Sequence, residues 1–214
     1  MSEKEIKTKN IKPIPCKLIL VGDSGVGKTS MINRYLEEYK DNVQTTVSTS
    51  YFNKIEIIND YKINFQIWDT VGQEQYRSIN NLFFKDAHIC LMVYDITRES
   101  SFSSIKQYWH EAVNNNGLEG VIFGIAGNKN DLYENENVDK EEVKNYSNEI
   151  NAILRFTSAK QNECIDELFR ELGKKFVNSN FMLEIGSEYF TNRNSSFQID
   201  KKNEIKIKKD KICC

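Results

Sequence analysis

Cys16-Lys17-Leu18-Ile19-Leu20-Val21, followed at once by Gly22-Asp23-Ser24-Gly25-Val26-Gly27-Lys28-Thr29, decides the fold. The first stretch is a short apolar run ended by glycine, the pattern of a strand buried on both faces. The second matches G-x-x-x-x-G-K-[ST], a phosphate loop that opens a helix near Lys28. Gly25 and Gly27 admit backbone conformations closed to other residues. The loop amides can then turn inward around phosphate oxygens, with the helix N-terminus behind them. Lys28 adds a positive charge near the β- and γ-phosphates, and Thr29 offers a hydroxyl to Mg²⁺. The phosphates are therefore assigned to Gly22, Asp23, Ser24, Gly25, Val26, Gly27, Lys28, Thr29 and Ser30. A plain glycine turn with a solvated lysine is the competing reading, and the strand before and helix after argue against it.

Outward from this loop, strand and helix signals alternate. Tyr51 to Ile58 and Lys62 to Trp68 read as strands joined by Asn59-Asp60, which is hairpin turn chemistry. Ile63, Phe65 and Ile67 alternate with Asn64 and Gln66, as one buried face requires. Ile89 to Tyr94, Val121 to Gly127 and Ile153 to Phe156 are further strands. Phe102, Ile105, Trp109, Ala112 and Val113 share one helical face. Asp139 with Glu142 resembles a capping box for the helix carrying Val143, Tyr146 and Ile150. Ile165, Leu168, Phe169, Leu172 and Phe176 form the stripe of a last helix. Strands separated by helix-length segments make a mostly parallel sheet covered on both faces, an α/β architecture whose ligands sit at the carboxyl ends of the strands. The expected organisation is a lead-in over 1–14, one domain over 15–178 and a basic tail over 179–214.

Two more strand ends carry chemistry. Asn128-Lys129-Asn130-Asp131 follows Gly127. An aspartate there can accept both the N1–H and the exocyclic amine of guanine, a donor pair that adenine lacks. Taken alone, the tetrad also describes an Asx-rich surface turn. Ser158-Ala159-Lys160 after the last strand would by itself be a capped helix start. Asp69-Thr70-Val71-Gly72-Gln73-Glu74 places an acid suited to Mg²⁺, a glycine amide for the γ-phosphate and a glutamine able to orient water. Alone, it could equally be a helix N-cap.

Together these residues resemble the Ras superfamily of small GTPases, and its Rab branch most. Gly22 to Thr29, Trp68-Asp69-Thr70 with Gly72-Gln73-Glu74, Gly127 to Leu132 and Ser158-Ala159-Lys160 follow the family motifs in order. Tyr76-Arg77-Ser78-Ile79 and Val93-Tyr94-Asp95-Ile96-Thr97 look like Rab flanks. The resemblance implies a P-loop NTPase fold: a six-stranded sheet with one antiparallel strand and five helices. It implies GTP/GDP and Mg²⁺ as ligands, Asn128, Lys129, Asp131, Ser158, Ala159 and Lys160 around the base, and Gln73 as the catalytic residue. Metal ligation falls to Thr29, Asp69 and, in the GTP state, Thr46, with Thr45 as the alternative. Tyr39 takes the place of the aromatic that packs on the base. Ser48 and Val71 depart from the family's glycine and alanine. Valine is stiff, and a GTP-bound scaffold with little hydrolysis is the second reading it favours. A phosphotransferase acting on a small substrate is a third, which the Asn128 to Asp131 loop argues against.

Composition bounds the rest. The 214 residues hold 29 Lys+Arg against 31 Asp+Glu, so no global positive field recruits nucleic acid. With 2 prolines and 10 glycines the chain is neither collagen-like nor proline-rich. No apolar run is long enough to span a bilayer. Met1-Ser2-Glu3-Lys4-Glu5 is expected to be neither a signal peptide nor a myristoylation site. Cys16, Cys90 and Cys164 read as small core residues in a reducing compartment. The end, Lys211-Ile212-Cys213-Cys214, resembles the Rab terminus in which both cysteines are prenylated. Two lipid chains give stable anchoring, helped by the tail's lysines on an anionic leaflet. The expected location is the cytoplasmic face of an intracellular membrane, with a carrier-bound cytosolic pool. The expected partners are an exchange factor, a GTPase-activating protein, effectors and a prenyl-chain carrier.

Overall fold

The computed structural model describes residues 12–38, 49–70 and 83–182. Within them lies a six-stranded sheet of order β2-β3-β1-β4-β5-β6. The strands are β1 (Ile14–Val21), β2 (Ser50–Ile58), β3 (Tyr61–Asp69), β4 (Ile89–Asp95), β5 (Ile122–Asn128) and β6 (Ile153–Phe156). Only β2 runs antiparallel to its neighbour. Its hairpin with β3 turns on Asn59 (φ 48°) and Asp60 (φ 67°), and Ile58 faces Tyr61 across it. Positive φ at both central residues is the backbone that matches strand twist in a two-residue turn, and Asn and Asp tolerate it best.

The apolar run of β1 is buried because helices cover both of its faces. Leu18 and Leu20 join one core cluster and Ile19 and Val21 the other, as the period of two requires. The first cluster is closed by α1 (Lys28–Tyr35), through Met31, Ile32 and Tyr35, and by the last helix. The second is closed by α2 (Glu99–Ser104), which runs through a π-helical turn (Ile105–Trp109) into α3 (His110–Asn116). A short 3₁₀ helix (Asn130–Asn135) follows β5, then α4 (Lys140–Glu149) and α5 (Ile165–Val177). Phe102, Ile105, Trp109 and Val113 are buried on the expected face, and Ala112 packs against the same cluster. The stripe of α5 is buried throughout.

Three expectations change. Cys16 and Cys90 are core residues, but Cys164 is exposed. It occupies the left-handed position (φ 55°) just before α5, one residue ahead of the apolar stripe that begins at Ile165. The capping box is half formed. Asp139 accepts from the Glu141 amide at 2.8 Å, whereas the Glu142 carboxylate turns to Lys106 on the neighbouring helix. Packing also runs past 178, because Phe181 and Met182 are buried in the first cluster. The Phe181 ring meets His88 edge-on at 5.1 Å.

The unequal halves of the cap make a testable contrast. Asp139→Ala removes the partner of an orphan helix amide and is expected to cost about 1 kcal/mol. Glu142→Gln breaks only an exposed ion pair and is expected to cost about 0.5 kcal/mol or less. Urea unfolding of the two variants decides this, and equal losses would mean that Glu142 shares in the cap.

Candidate functional site

All five parallel strands end at one edge of the sheet, and the phosphate loop leaves β1 there. The connections from β1 lead first to β3 on one side and then to β4 on the other, which opens a crevice above β1. Gly22 enters it at φ 139°, where a Cβ would overlap the Val93 carbonyl. Gly27, at φ 98°, precedes α1 and lies flat against the Asn128 amide, leaving no room for a Cβ. These two positions accept only glycine without rebuilding the loop. Lys28 is 6% exposed. Its Nζ donates to the carbonyls of Gly22 at 2.7 Å and Asp23 at 3.0 Å. Burial pulls its pKa down to about 8, against the pull of Asp69 and Asp23, with Arg98 adding to the depression. The ammonium therefore sits where an anion would stabilise it.

The Asp23 side chain points elsewhere. Its carboxylate accepts from Trp109 Nε1 at 3.1 Å and from Ser104 Oγ at 2.9 Å. Asp23 thus offers its backbone to the loop and uses its side chain to dock the loop on α2 and the π-helical turn. Ser24 gives its carbonyl to Arg98 Nη2 at 2.9 Å.

Thr29, the second residue of α1, donates its hydroxyl to Asp69 Oδ2 at 2.6 Å. Asp69 ends β3 beside Leu20, one residue before β1 ends. A hydroxyl and a carboxylate oxygen converging at the rim of a phosphate loop form a hard-oxygen donor set. That is the chemistry of Mg²⁺, which takes few protein ligands and completes its shell with phosphate oxygens and water. These residues fit the ion.

Asn128 ends β5 and is 1% exposed. Its Nδ2 donates to the Val26 carbonyl at 2.8 Å, while its Oδ1 accepts from Thr157 Oγ1 and the Ala159 amide, each at 3.3 Å. One amide thus ties the phosphate loop to the loop after β6. Asp131 accepts from Ser158 Oγ at 2.6 Å, and the same hydroxyl accepts from the Gln161 amide at 3.0 Å. Lys129 takes a left-handed backbone (φ 67°) and pairs with Asp95 Oδ2 at 2.6 Å. From α1, Arg34 donates to the carbonyls of Ala159 at 2.8 Å and Lys160 at 2.9 Å.

The Ras family model matches residues 17–178. The Ras-related protein RabJ of Dictyostelium discoideum is 37% identical over 175 residues, covering 81% of this chain and 66% of that protein. Rab-22A of Homo sapiens is 35% identical over 175 residues, 81% of this chain and 90% of that one. Rab-21 of Bos taurus is 37% identical over 162 residues, 75% and 72% respectively. The chain belongs to the Ras family. Its relatives place it in the Rab branch, and it is a small GTPase: a guanine-nucleotide-binding GTP hydrolase.

In this Rab-branch chain the described residues bring together Gly22 to Ser30, Asp69, Asn128, Lys129, Asp131, Ser158, Ala159 and Lys160 at one edge. Tyr39, Thr45, Thr46, Ser48, Val71, Gly72, Gln73, Cys213 and Cys214 lie outside the described residues. Sequence reasoning missed Arg34, Asp95, Arg98, Ser104 and Trp109 as parts of the site. Asp95 alone carried a signal, as the acid in the Rab-like Val93 to Thr97 flank.

Asp95 supports a pH-dependent expectation. Burial pushes its carboxyl up, but hydrogen bonds from Lys129 and Thr97 outweigh this and hold it below the ordinary 3.8. A depressed folded-state pKa contributes stability that is present above the unfolded value and lost as pH falls through the folded one. Asp95→Asn should therefore cost about 1 kcal/mol at neutral pH. The gap should close as pH falls below about 4. Urea unfolding across that range checks it, and a gap constant with pH would assign the loss to packing.

Proposed function

We propose that this chain works as a membrane-attached GDP/GTP switch in vesicle-mediated traffic, hydrolysing GTP to GDP and phosphate. The observation that carries the nucleotide assignment is the Asn128 amide, bonded at once to the phosphate loop and to the base loop. In this reading the backbone of Gly22 to Ser30 and the Lys28 ammonium hold the phosphates. Asp131 accepts the guanine N1–H and amine, with the Ser158 hydroxyl fixing one carboxylate oxygen. Ser158, Ala159 and Lys160 would line the base, and the Lys129 stem would lie along it, its head anchored by Asp95. Bound Mg²⁺ would neutralise phosphate charge, and Thr29, Asp69 and Thr46 would hold it, with Thr45 the alternative to Thr46. Gly72 would meet the γ-phosphate and Gln73 would orient the attacking water.

The domain division is part of the same proposal: a lead-in over 1–14, a nucleotide-binding unit that runs from 15 through the packed Phe181 and Met182, and a tether beyond. Among the described residues no helix is long and apolar enough to cross a membrane. Attachment is assigned instead to lipidated Cys213 and Cys214. The proposed setting is the cytoplasmic face of an intracellular membrane, where an exchange factor, an activating protein, effectors and a prenyl-chain carrier act.

Asp131→Asn tests the base assignment. It replaces one acceptor oxygen with a donor, so xanthine nucleotides should gain relative to GTP by about tenfold or more. Competition binding reads this, and a variant that keeps GTP and gains nothing for xanthosine triphosphate removes Asp131 from the base site.

Two further variants test the switch and the tether. Gln73→Leu should bind GTP normally yet lose about a thousandfold of activator-stimulated hydrolysis. If unmodified protein already turns over no faster than Gln73→Leu with activator present, the low-hydrolysis scaffold is the better reading. Serine at both 213 and 214 should leave nucleotide binding unchanged and release the protein from membranes. Membrane-bound material with an unmodified C-terminal mass would refute the tether.

A further inference from the structure

A phosphate loop works only if its amides face the anion, and each trans peptide points its carbonyl opposite to the N–H it carries. Every amide turned inward therefore turns a carbonyl outward, where it needs a donor. Five of the loop's carbonyls have donors among the described residues. Gly22 and Asp23 accept from Lys28, Val26 from Asn128, and Gly27 from the Met31 amide at 2.9 Å inside α1. Ser24 accepts from Arg98, a residue outside every motif.

Arg98 is mounted rigidly. Its own amide donates to the Asp95 carbonyl at 2.9 Å, and its carbonyl accepts from Ser101 Oγ at 2.6 Å. The side chain then reaches the phosphate loop from the turn that opens α2. Its Nε is buried and has no hydrogen-bond partner among the described residues. The guanidinium thus spends its visible bond on the loop rather than on a saturated ion pair. It is also close enough to be felt at Lys28, whose charge it opposes. Two cations share the loop, one inside it and one behind it.

At the peptide between Ser24 and Gly25, Gly25 has φ 75° and a Cβ there would meet none of the described residues, so packing does not hold this peptide from the Gly25 side. We propose that Arg98 is a positioning residue for the phosphate loop: by holding the Ser24 carbonyl outward, it locks the Gly25 amide toward the bound phosphates. Asp23, the residue just before this peptide, is anchored by its carboxylate, which docks on Ser104 and Trp109. The inference rests on the assignment of Gly22 to Ser30 as the phosphate site.

The test uses the full-length chain loaded with GDP. Arg98→Met keeps the stem and removes the donor, and Arg98→Lys restores a single donor. A lost bond from a charged donor is worth about tenfold, so Arg98→Met should release GDP about ten times faster. Arg98→Lys should recover most of the difference, since one monodentate bond is at stake. The phosphorus resonance of the β-phosphate should move in Arg98→Met while that of the α-phosphate stays. Thermal stability of the nucleotide-free protein should fall in Arg98→Met by far less than GDP affinity does.

Two outcomes overturn the proposal. One is GDP release from Arg98→Met at the unmodified rate with an unmoved β-phosphate resonance. The other is faster release with an equal fall in nucleotide-free stability and no rescue by lysine, the mark of a merely structural arginine. Lys28→Ala separates this from failure of the underlying assignment. If Lys28→Ala still holds GDP tightly, the phosphate site itself is misplaced; if it loses GDP while Arg98→Met does not, only the role of Arg98 falls.

Discussion

The carboxamide of Asn128 is the interaction on which the site depends. It donates to Val26 in the phosphate loop and accepts from Thr157 and Ala159 in the base loop. Those partners lie 102, 29 and 31 residues away in sequence. A carboxylate at this position could not donate, and a leucine could do neither. The bond also explains a constraint at a distance: Gly27 must lack a side chain because the Asn128 amide occupies its space. Two loops that could move separately thus behave as one surface, which favours a ligand long enough to touch both.

The same logic extends to the two arginines. A ligand read by backbone amides needs carbonyls turned the other way, and buried carbonyls without donors are costly. Arg34 serves the base loop through two carbonyls, and Arg98 serves the phosphate loop through one. Arg34 stands on the helix that the phosphate loop opens, and Arg98 on the turn between β4 and α2. Each loop is therefore held from behind by an element whose place the sheet fixes. Guanidinium suits this task because it stays charged and presents several donors in a rigid plane.

What the sequence makes legible follows from how local each determinant is. The β2–β3 hairpin was readable because Asn59-Asp60 and the alternation of Ile63, Phe65 and Ile67 act over a few residues. The phosphate and base loops were readable because their chemistry forces fixed spacings. Cys164 misled because it abuts an apolar stripe that starts one residue later, and a helix start shifts a side chain from core to solvent within one position. Glu142 misled because the local bond to its own helix competes with Lys106 from another one, and no local pattern reports that neighbour. Arg34, Arg98, Ser104 and Trp109 were invisible for the same reason: each acts on a residue brought close only by the sheet. The π-helical turn, which carries Trp109, has no signature in a periodicity built on 3.6 residues.

Lys28 shows why such a site suits an anion. A lysine whose pKa falls from 10.5 to about 8 carries a charge held at a cost of about 3 kcal/mol relative to water. Two backbone carbonyls and the fields of Asp69 and Asp23 offset the burial only in part. A phosphate in the loop would supply a further counter-charge, so part of the binding energy comes from the buried Lys28 ammonium. Any ligand that binds the native state alone also stabilises it by mass action. For this chain the two effects share one origin: the ammonium that burial disfavours is the group that an anion in the loop would stabilise.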